Sequence, residues 1–487
     1  MPEAAEVFKP LVELVTERAP DYSLYWNYWM GQNDLPVDTS EFRSRFGSLF
    51  ENFRDNLARP IIKSAETRVR VTGFGDGTGT ARKALEVWES NNMGYQSQQV
   101  HIETMVKGDG FVIVLPKVDG SPGIYPQVSE SCAILYDDID PTKKIAAIKW
   151  WKTASDNAKG EIKIRVNLYF DNRVERYISK SIGEFLDKDF SKYVEYEEEE
   201  GKGHVTRHKV GEVPMFEFNA NYDLASARGR SDLADATPII DAINKTFLDM
   251  MTASEFTAAP QRWATGVEIP LDPKTGKPAE AYKSGADKLW TAPNDAAKFG
   301  QFTPGELNAY SQGIEALVDH LTFTSATPSY ALMKQVQYPS GEALRSAEAP
   351  LRGRVSDHQD AFTVTWQQVL LAALKLAKAE VAEASRKQAL PTWLPVNAPF
   401  STKELMEELK VKAETLGVPE EMLWREAGYT ATQIEEMKAM REQEAELVDP
   451  FGASAVAVLN GAPVATEVAG VATDTVPAPE VAPPAEA

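Results

Sequence analysis

The sequence predicts an α+β protein. Three observations carry that reading. Apolar residues recur three and four apart near the N-terminus and again through most of the chain beyond residue 230. Between these helical stretches lie short alternating or continuous apolar runs divided by turn residues, the pattern of antiparallel strands. The composition, 43% hydrophobic and 25% charged over 487 residues, is that of a globular chain long enough for two to four domains.

The elements follow in order. Residues 1 to about 70 read as helical, with Tyr25, Trp26, Tyr28 and Trp29 grouped before a glycine stop at Gly31. Pro60 marks a helix start or kink, and "RVRVTGF" becomes a strand. A helix through "ARKALEVWES" precedes the continuous apolar run Phe111 to Leu115, expected as a buried strand. "GIYPQVSESCAILYDD", "IAAIKWW", "KIRVNLYF" and "RVERYIS" read as a meander. Val194 to Val210 is expected as a charged hairpin or loop, and "GEVPMFEFNANYD" closes the sheet region. Gly229 to Gly266 then reads as one long helix leading into a strand.

Gly266 to Gly300 is rich in Gly, Pro and Lys and is expected as a compact exposed lobe with short strands at most. Pro304 suits the start of the next helix, whose stripe is Leu307, Tyr310, Ile314, Leu317, Val318 and Leu321. After a break at Pro328, an Ala-rich helical run follows in which Pro350 is expected to act as a breaker. Ser340 and Glu342 suit the start of that run. Pro391 and Pro395 interrupt, and Ser401 with Glu404 forms a capping box ahead of short helices separated by glycine. From Asp449 the Ala/Val/Pro-rich tail has no Lys or Arg and is expected to be disordered.

Charge and motifs narrow the function classes. A formal net charge of -21 repels nucleic acid at long range, so a tight DNA binder is not expected. The same charge suits a surface that DNA passes without sticking. No run approaches the roughly eighteen apolar residues of a membrane span. "MPEAAEVFKPLVELVTERAP" lacks the basic region and cleavage site of a secretory signal. The single Cys132 excludes an internal disulfide framework and reads as a buried thiol on a strand in a reducing compartment. "GFGDGTGT" (Gly73–Thr80) satisfies neither the dinucleotide fingerprint nor the phosphate loop, and reads as a turn between strand and helix. His204 and His208, four apart after a glutamate run, could supply half a metal site, but nothing completes a ligand set and a solvated loop is expected. No nucleophile elbow, HExxH or calcium loop is present, so no enzyme activity, metal or cofactor is expected.

Several segments, in order, resemble one family. They are "YWNYWMGQNDLP", "FRDNLARPIIKSAETRVRVTGF", "WESNNMGYQSQQVHIETMVKGDGFVIV", "GEVPMFEFNAN" with the long helix carrying Asp241-x-x-Asn244-Lys245, and "TPSYALMKQVQYPSGEALRSAEAPL". Their co-linear order resembles the portal proteins of tailed bacteriophages with long non-contractile tails, over residues 20 to about 375. The resemblance implies a portal fold with an α/β wing, a two-helix stem, a small clip lobe, a helical crown and a disordered C-terminal tail. It implies a wing of N-terminal helices and antiparallel strands at 1–230, a stem helix at 231–259 and a clip at 260–303. A second stem helix falls at 304–327, the tunnel-loop region at 328–341, long wing and crown helices at 342–447, and the tail at 448–487.

What the resemblance implies about function is a ring of about twelve copies at one capsid vertex, through which double-stranded DNA is packaged and ejected. Implied partners are the major capsid protein, the scaffold protein, the large terminase subunit and the head-tail adaptor. DNA contacts in the channel are weak and non-specific, and no membrane is involved. The motor that hydrolyses ATP is then a separate polypeptide, and assembly occurs in the host bacterial cytoplasm before the protein resides in the virion. Lys334, Gln335, Gln337 and Tyr338 are the implied channel-lining candidates, and Lys274, Lys277, Lys283 and Lys288 the clip contacts. Ile239, Ile243, Phe247, Met250, Met251, Ile314, Leu317 and Leu321 are the candidates for packing between subunits. The alternative is another self-assembling virion component, such as an adaptor or scaffold-binding protein.

Overall fold

Helix α1 (Ala4–Met30) begins the chain, and its sequence explains both of its ends. The Glu3 backbone N–H donates to Glu6 Oε2 at 3.2 Å, closing a capping box. Gly31 takes a φ of 68° at the C-terminus and donates to Tyr28 O at 3.1 Å, the left-handed stop expected there. The computed structural model describes residues 3–34, 54–75, 79–154, 162–183, 185–198, 203–258, 262–266, 296–301, 307–332, 341–378, 383–396, 402–429 and 431–448.

Two antiparallel sheets organise the N-terminal half. Strands β4 (Cys132–Tyr136), β5 (Lys144–Ala154), β6 (Ile162–Tyr169), β7 (Arg173–Ser179) and β8 (Tyr193–Glu195) run as the expected meander, with β9 (Val205–Arg207) also on β7. Val7, Phe8, Leu11, Val12 and Val15, one stripe of α1, pack on one face of this sheet. The second sheet has the order β10 (Met215–Asn219), β2 (Asp109–Pro116), β3 (Pro122–Gln127). Its central strand is buried from Asp109 to Val114, as its unbroken apolar run predicts.

"GEVPMFEFNANYD" closes this three-stranded sheet, Met215 opposite Ile113. The structure differs from the sequence reading at three places. Val194 to Val210 is not a hairpin: β8 pairs with Ser179–Tyr177 and β9 with Arg173–Glu175, end to end along β7. Pro391 does not merely interrupt: β13 (Pro391–Trp393) pairs with β1 (Val71–Phe74). Finally, α8 (Gly341–Leu376) runs unbroken for 36 residues through Pro350. Pro350 and Ser346, whose carbonyl it leaves without an N–H, both lie on the solvent side, where water can take that bond.

Helices α2 (Ala58–Glu66), α3 (Thr80–Ser90) and α4 (Met93–Lys107) pack around the largest core together with the start of α5 (Thr237–Ala258), α6 (Leu307–Thr324) and α8. At its centre Trp366 meets Trp88 edge-on at 4.9 Å and Phe218 at 4.6 Å. Between α5 and α6, β11 (Arg262–Thr265) pairs antiparallel with β12 (Lys298–Gln301). The short α7 (Ser329–Leu332) follows α6. Helices α9 (Thr402–Leu416) and α10 (Glu420–Glu426) end at left-handed Gly417 and Gly428, as the glycine spacing predicts. Met1–Ala431 forms one compact unit; in the second, Thr432–Ala487, the described part belongs to α11 (Ala431–Val448). The expected caps Ser340 and Ser401, the helix-start Pro304 and the tail 449–487 lie outside the described residues.

Candidate functional site

The pair α5–α6 is the feature on which the implied function turns, and a buried polar network roots it. Ahead of α5, the Gly229 N–H donates to Asp109 Oδ1 at 2.7 Å, and Tyr22 Oη donates to Asp109 Oδ2 at 2.6 Å. A Cβ on Gly229 would lie 2.0 Å from Gly108 O, so only glycine fits against this backbone. Arg18 reaches Glu217 at 2.6 Å and Asp109 at 3.5 Å, one guanidinium serving two buried carboxylates. Burial pushes the Glu217 carboxyl up, against the opposing pull of Arg18.

Three residues further along, Asp232 accepts from Asn221 Nδ2 at 2.6 Å and meets His358 Nε2 at 2.9 Å. Both Asp232 and His358 side chains are about 1% exposed. Burial resists the Asp232 charge, but His358 and then Arg354 outweigh it and hold this carboxyl below the ordinary value. Arg354 is the hub. Its Nη1 donates to Ser325 O at the end of α6, and its Nη2 to Ile61 O on α2 at 2.8 Å and Ser64 Oγ at 3.2 Å. The start of α5 and the end of α6 are thereby tied to the same two turns of α8. Tyr28 Oη donates to Asp241 Oδ2 at 2.8 Å, and the Asp55 N–H to Asn244 Oδ1 at 2.8 Å, fixing the next turns of α5.

Beyond its root the pair is covered less. Ile240, Ile243, Leu248, Val318 and Leu321 are buried. Ile239, Phe247, Ile314 and Leu317 are half-buried against the core, and Met250 and Met251 are half-buried too. Of the eight packing candidates, Ile243 and Leu321 are therefore fully used within one chain, because each faces the partner helix or the core. The other six are only half-buried. Phe323 is 88% exposed near the end of α6. The two helices carry Asp241, Asp249, Glu255, Glu315 and Asp319 against the single cation Lys245, itself paired with Asp249 at 2.6 Å.

Lys334, Gln335, Gln337, Tyr338, Lys274, Lys277, Lys283 and Lys288 lie outside the described residues. On either side of residues 333–340, Tyr330 of α7 donates to Glu348 of α8, which also receives Arg68 at 2.8 Å. Cys132 is buried on β4, and burial pushes its thiol up to about 12. Gly75 and Gly79 stand between β1 and α3, the turn expected. The two histidines part company. His204 meets Glu195 at 3.1 Å, whereas His208 is buried, not solvated, with Nε2 3.0 Å from Phe170 O. The expectation of a solvated loop fails for His208 because its ring bridges the β6–β7 turn.

The sequence reading missed Arg354, Asp232 and His358. One signal was present: His358 occupies an apolar position in the stripe Leu351, Val355, Phe362, Trp366, Val369.

Residues 56–447 match the family described as "Phage portal protein, SPP1 Gp6-like". The chain is 23% identical over 403 residues to the portal protein of Mycobacterium phage D29, spanning 80% of this chain and 79% of that one. It is 22% identical over 404 residues to the portal protein of Mycobacterium phage L5, with the same coverage. A chain from the neck of a native gene transfer agent particle computed with C12 symmetry is similar at a TM-score of 0.42 and 12% identity, over 81% of this chain and 94% of that one. The family match takes in most of the 487 residues, including the whole α5–α6 pair with Asp232, Arg354 and His358 at its root, and the chain belongs to the SPP1 Gp6-like phage portal protein family.

Proposed function

We propose that this chain closes into a ring, a dodecamer, at one capsid vertex and forms the channel through which double-stranded DNA is packaged and ejected. Membership of the portal family over residues 56–447 carries the reading. The α5–α6 pair supports it physically. Its half-buried apolar residues suit heterologous contacts that close by rotation. Its five carboxylates against one paired lysine suit a wall along which DNA slides, since each cation–phosphate contact releases counterions and favours sticking.

In this reading 1–230 is the wing, α5 and α6 the stem, 260–303 the clip, 328–341 the tunnel-loop region, 342–447 the long wing and crown helices, and 448–487 the C-terminal tail. The clip lysines meet the large terminase subunit during filling and the head-tail adaptor afterwards. Lys334, Gln335, Gln337 and Tyr338 supply weak contacts to DNA. The major capsid and scaffold proteins surround the ring in the virion, which assembles in the host cytoplasm. The role is structural, without a reaction of its own. Negative-stain microscopy of the purified protein tests it: rings with a central hole are expected. A lone globule at micromolar concentration, unchanged by virion partners, would overturn it.

A further inference from the structure

The six-stranded sheet is covered unevenly. On the face opposite α1, residues of β2 and β10 cover Cys132, Ile134, Ala147, Tyr169 and Val174. The rest of that face is only half-buried. Register places Trp151 beside Arg165, Thr153 beside Lys163, and Lys149 beside Asn167, with Asn167 in turn beside Arg176. Four cations, Lys149, Lys163, Arg165 and Arg176, thus share one patch of a chain whose net charge is -21.

The patch is organised. The Arg165 guanidinium lies 5.0 Å from the Trp151 ring centroid and 4.1 Å from that of Tyr196, held between two aromatic faces. Lys149 Nζ lies 5.3 Å from the Trp151 centroid. Arg165 Nε and Asn167 Oδ1 are shielded from solvent and have no hydrogen-bond partner among the described residues. Among the described residues one carboxylate is paired in the patch: Glu198 lies 3.1 Å from Arg176 Nε and 3.8 Å from Arg165 Nη2. Its side chain is 59% exposed, so these pairs are weak and exchangeable. Lys149 and Lys163 have no carboxylate partner among the described residues.

We propose that this sheet face docks an acidic polypeptide segment of a partner protein, and that Glu198 is the in-chain placeholder the segment displaces. A carboxylate is the group already seated there. Alternate side chains of an extended segment lie about 7 Å apart, a spacing that suits Lys163 and Arg165, two apart along β6. The chain's negative charge opposes a nucleic acid, charged at every nucleotide, more than a peptide carrying a few carboxylates. The inference does not rest on the ring reading, because the patch lies on the β5–β7 sheet and not on α5 or α6.

Fluorescence anisotropy of the full chain with labelled octaglutamate, and separately with labelled oligothymidine, tests it at low salt. Octaglutamate is expected to bind, and to be released as salt shortens the screening length. Glu198→Gln should tighten binding about threefold, and Lys149→Gln with Lys163→Gln should weaken it about fivefold, with thermal unfolding unchanged because all three residues are at least partly exposed. Octaglutamate failing to bind either the unaltered chain or Glu198→Gln would overturn the proposal, as would binding indifferent to the lysine substitutions. Tighter binding of oligothymidine than of octaglutamate would overturn it in favour of a nucleic-acid surface.

Discussion

The indole Nε1 of Trp366 donates to His101 Nε2 at 2.9 Å, while His101 Nδ1 stands 3.1 Å from Val69 O. An indole only donates and a carbonyl only accepts, so this ring is neutral with its proton on Nδ1. Burial pushes its pKa down to about 3. The unfolded chain takes up this proton near 6.5, so it binds one more proton than the folded chain between those values. The stability from His101 is therefore complete above pH 6.5 and is lost as pH falls, at up to about 1.4 kcal/mol per unit. Urea unfolding from pH 4 to pH 8 should show a shallower slope for His101→Gln than for the unaltered chain. Identical slopes would remove His101 from the pH response.

Arg354 joins the two ends of the α5–α6 pair, so its loss should cost far more than a surface charge. Arg354→Leu leaves Asp232 buried with less compensation and frees Ser325 O and Ile61 O. A loss of about 3–5 kcal/mol is expected in chemical denaturation. Hydrogen exchange should accelerate at 237–240 and 321–325 before it does in β2. A loss below about 1 kcal/mol would show that the network is not what roots the pair.

Phe247, Met251 and Leu317 are half-buried in one chain, and in the proposed ring they meet a neighbouring chain. Phe247→Glu with Leu317→Glu should shift sedimentation from a large assembly to a single chain. Retained helical circular dichroism would show that the subunit still folds. Rings that form normally would assign the contact to another surface.

Lys334→Glu should leave ring assembly intact and alter DNA packaging or retention, because it removes a cation from the proposed tunnel-loop region. Packaged DNA per particle is the measurement. Normal rings that package normally would take Lys334 out of the mechanism.

Much of the helix pair was legible beforehand. The stripe of α6 and the extent of α5 follow from spacing three and four apart, which any core-facing helix shows. The root was not. Asp232, Arg354 and His358 lie far apart in the chain, and nothing local distinguishes a charge that will be buried and paired from one that will be solvated. His358 broke the apolar stripe of α8, but its partner could be found only in space.

The amino-acid order by itself determined the buried strand Phe111 to Leu115, the glycine stop at Gly31, the meander and the long helix after residue 236, because periodicity and backbone freedom act over a few residues. Tertiary structure alone decided that Pro350 lies inside a continuous helix, that β13 returns to β1, and that β8 and β9 share one edge of β7. It alone brought Trp151, Arg165, Arg176 and Glu198 together. Each of these depends on which face of an element meets solvent or a distant strand, and that is settled by packing across the whole chain.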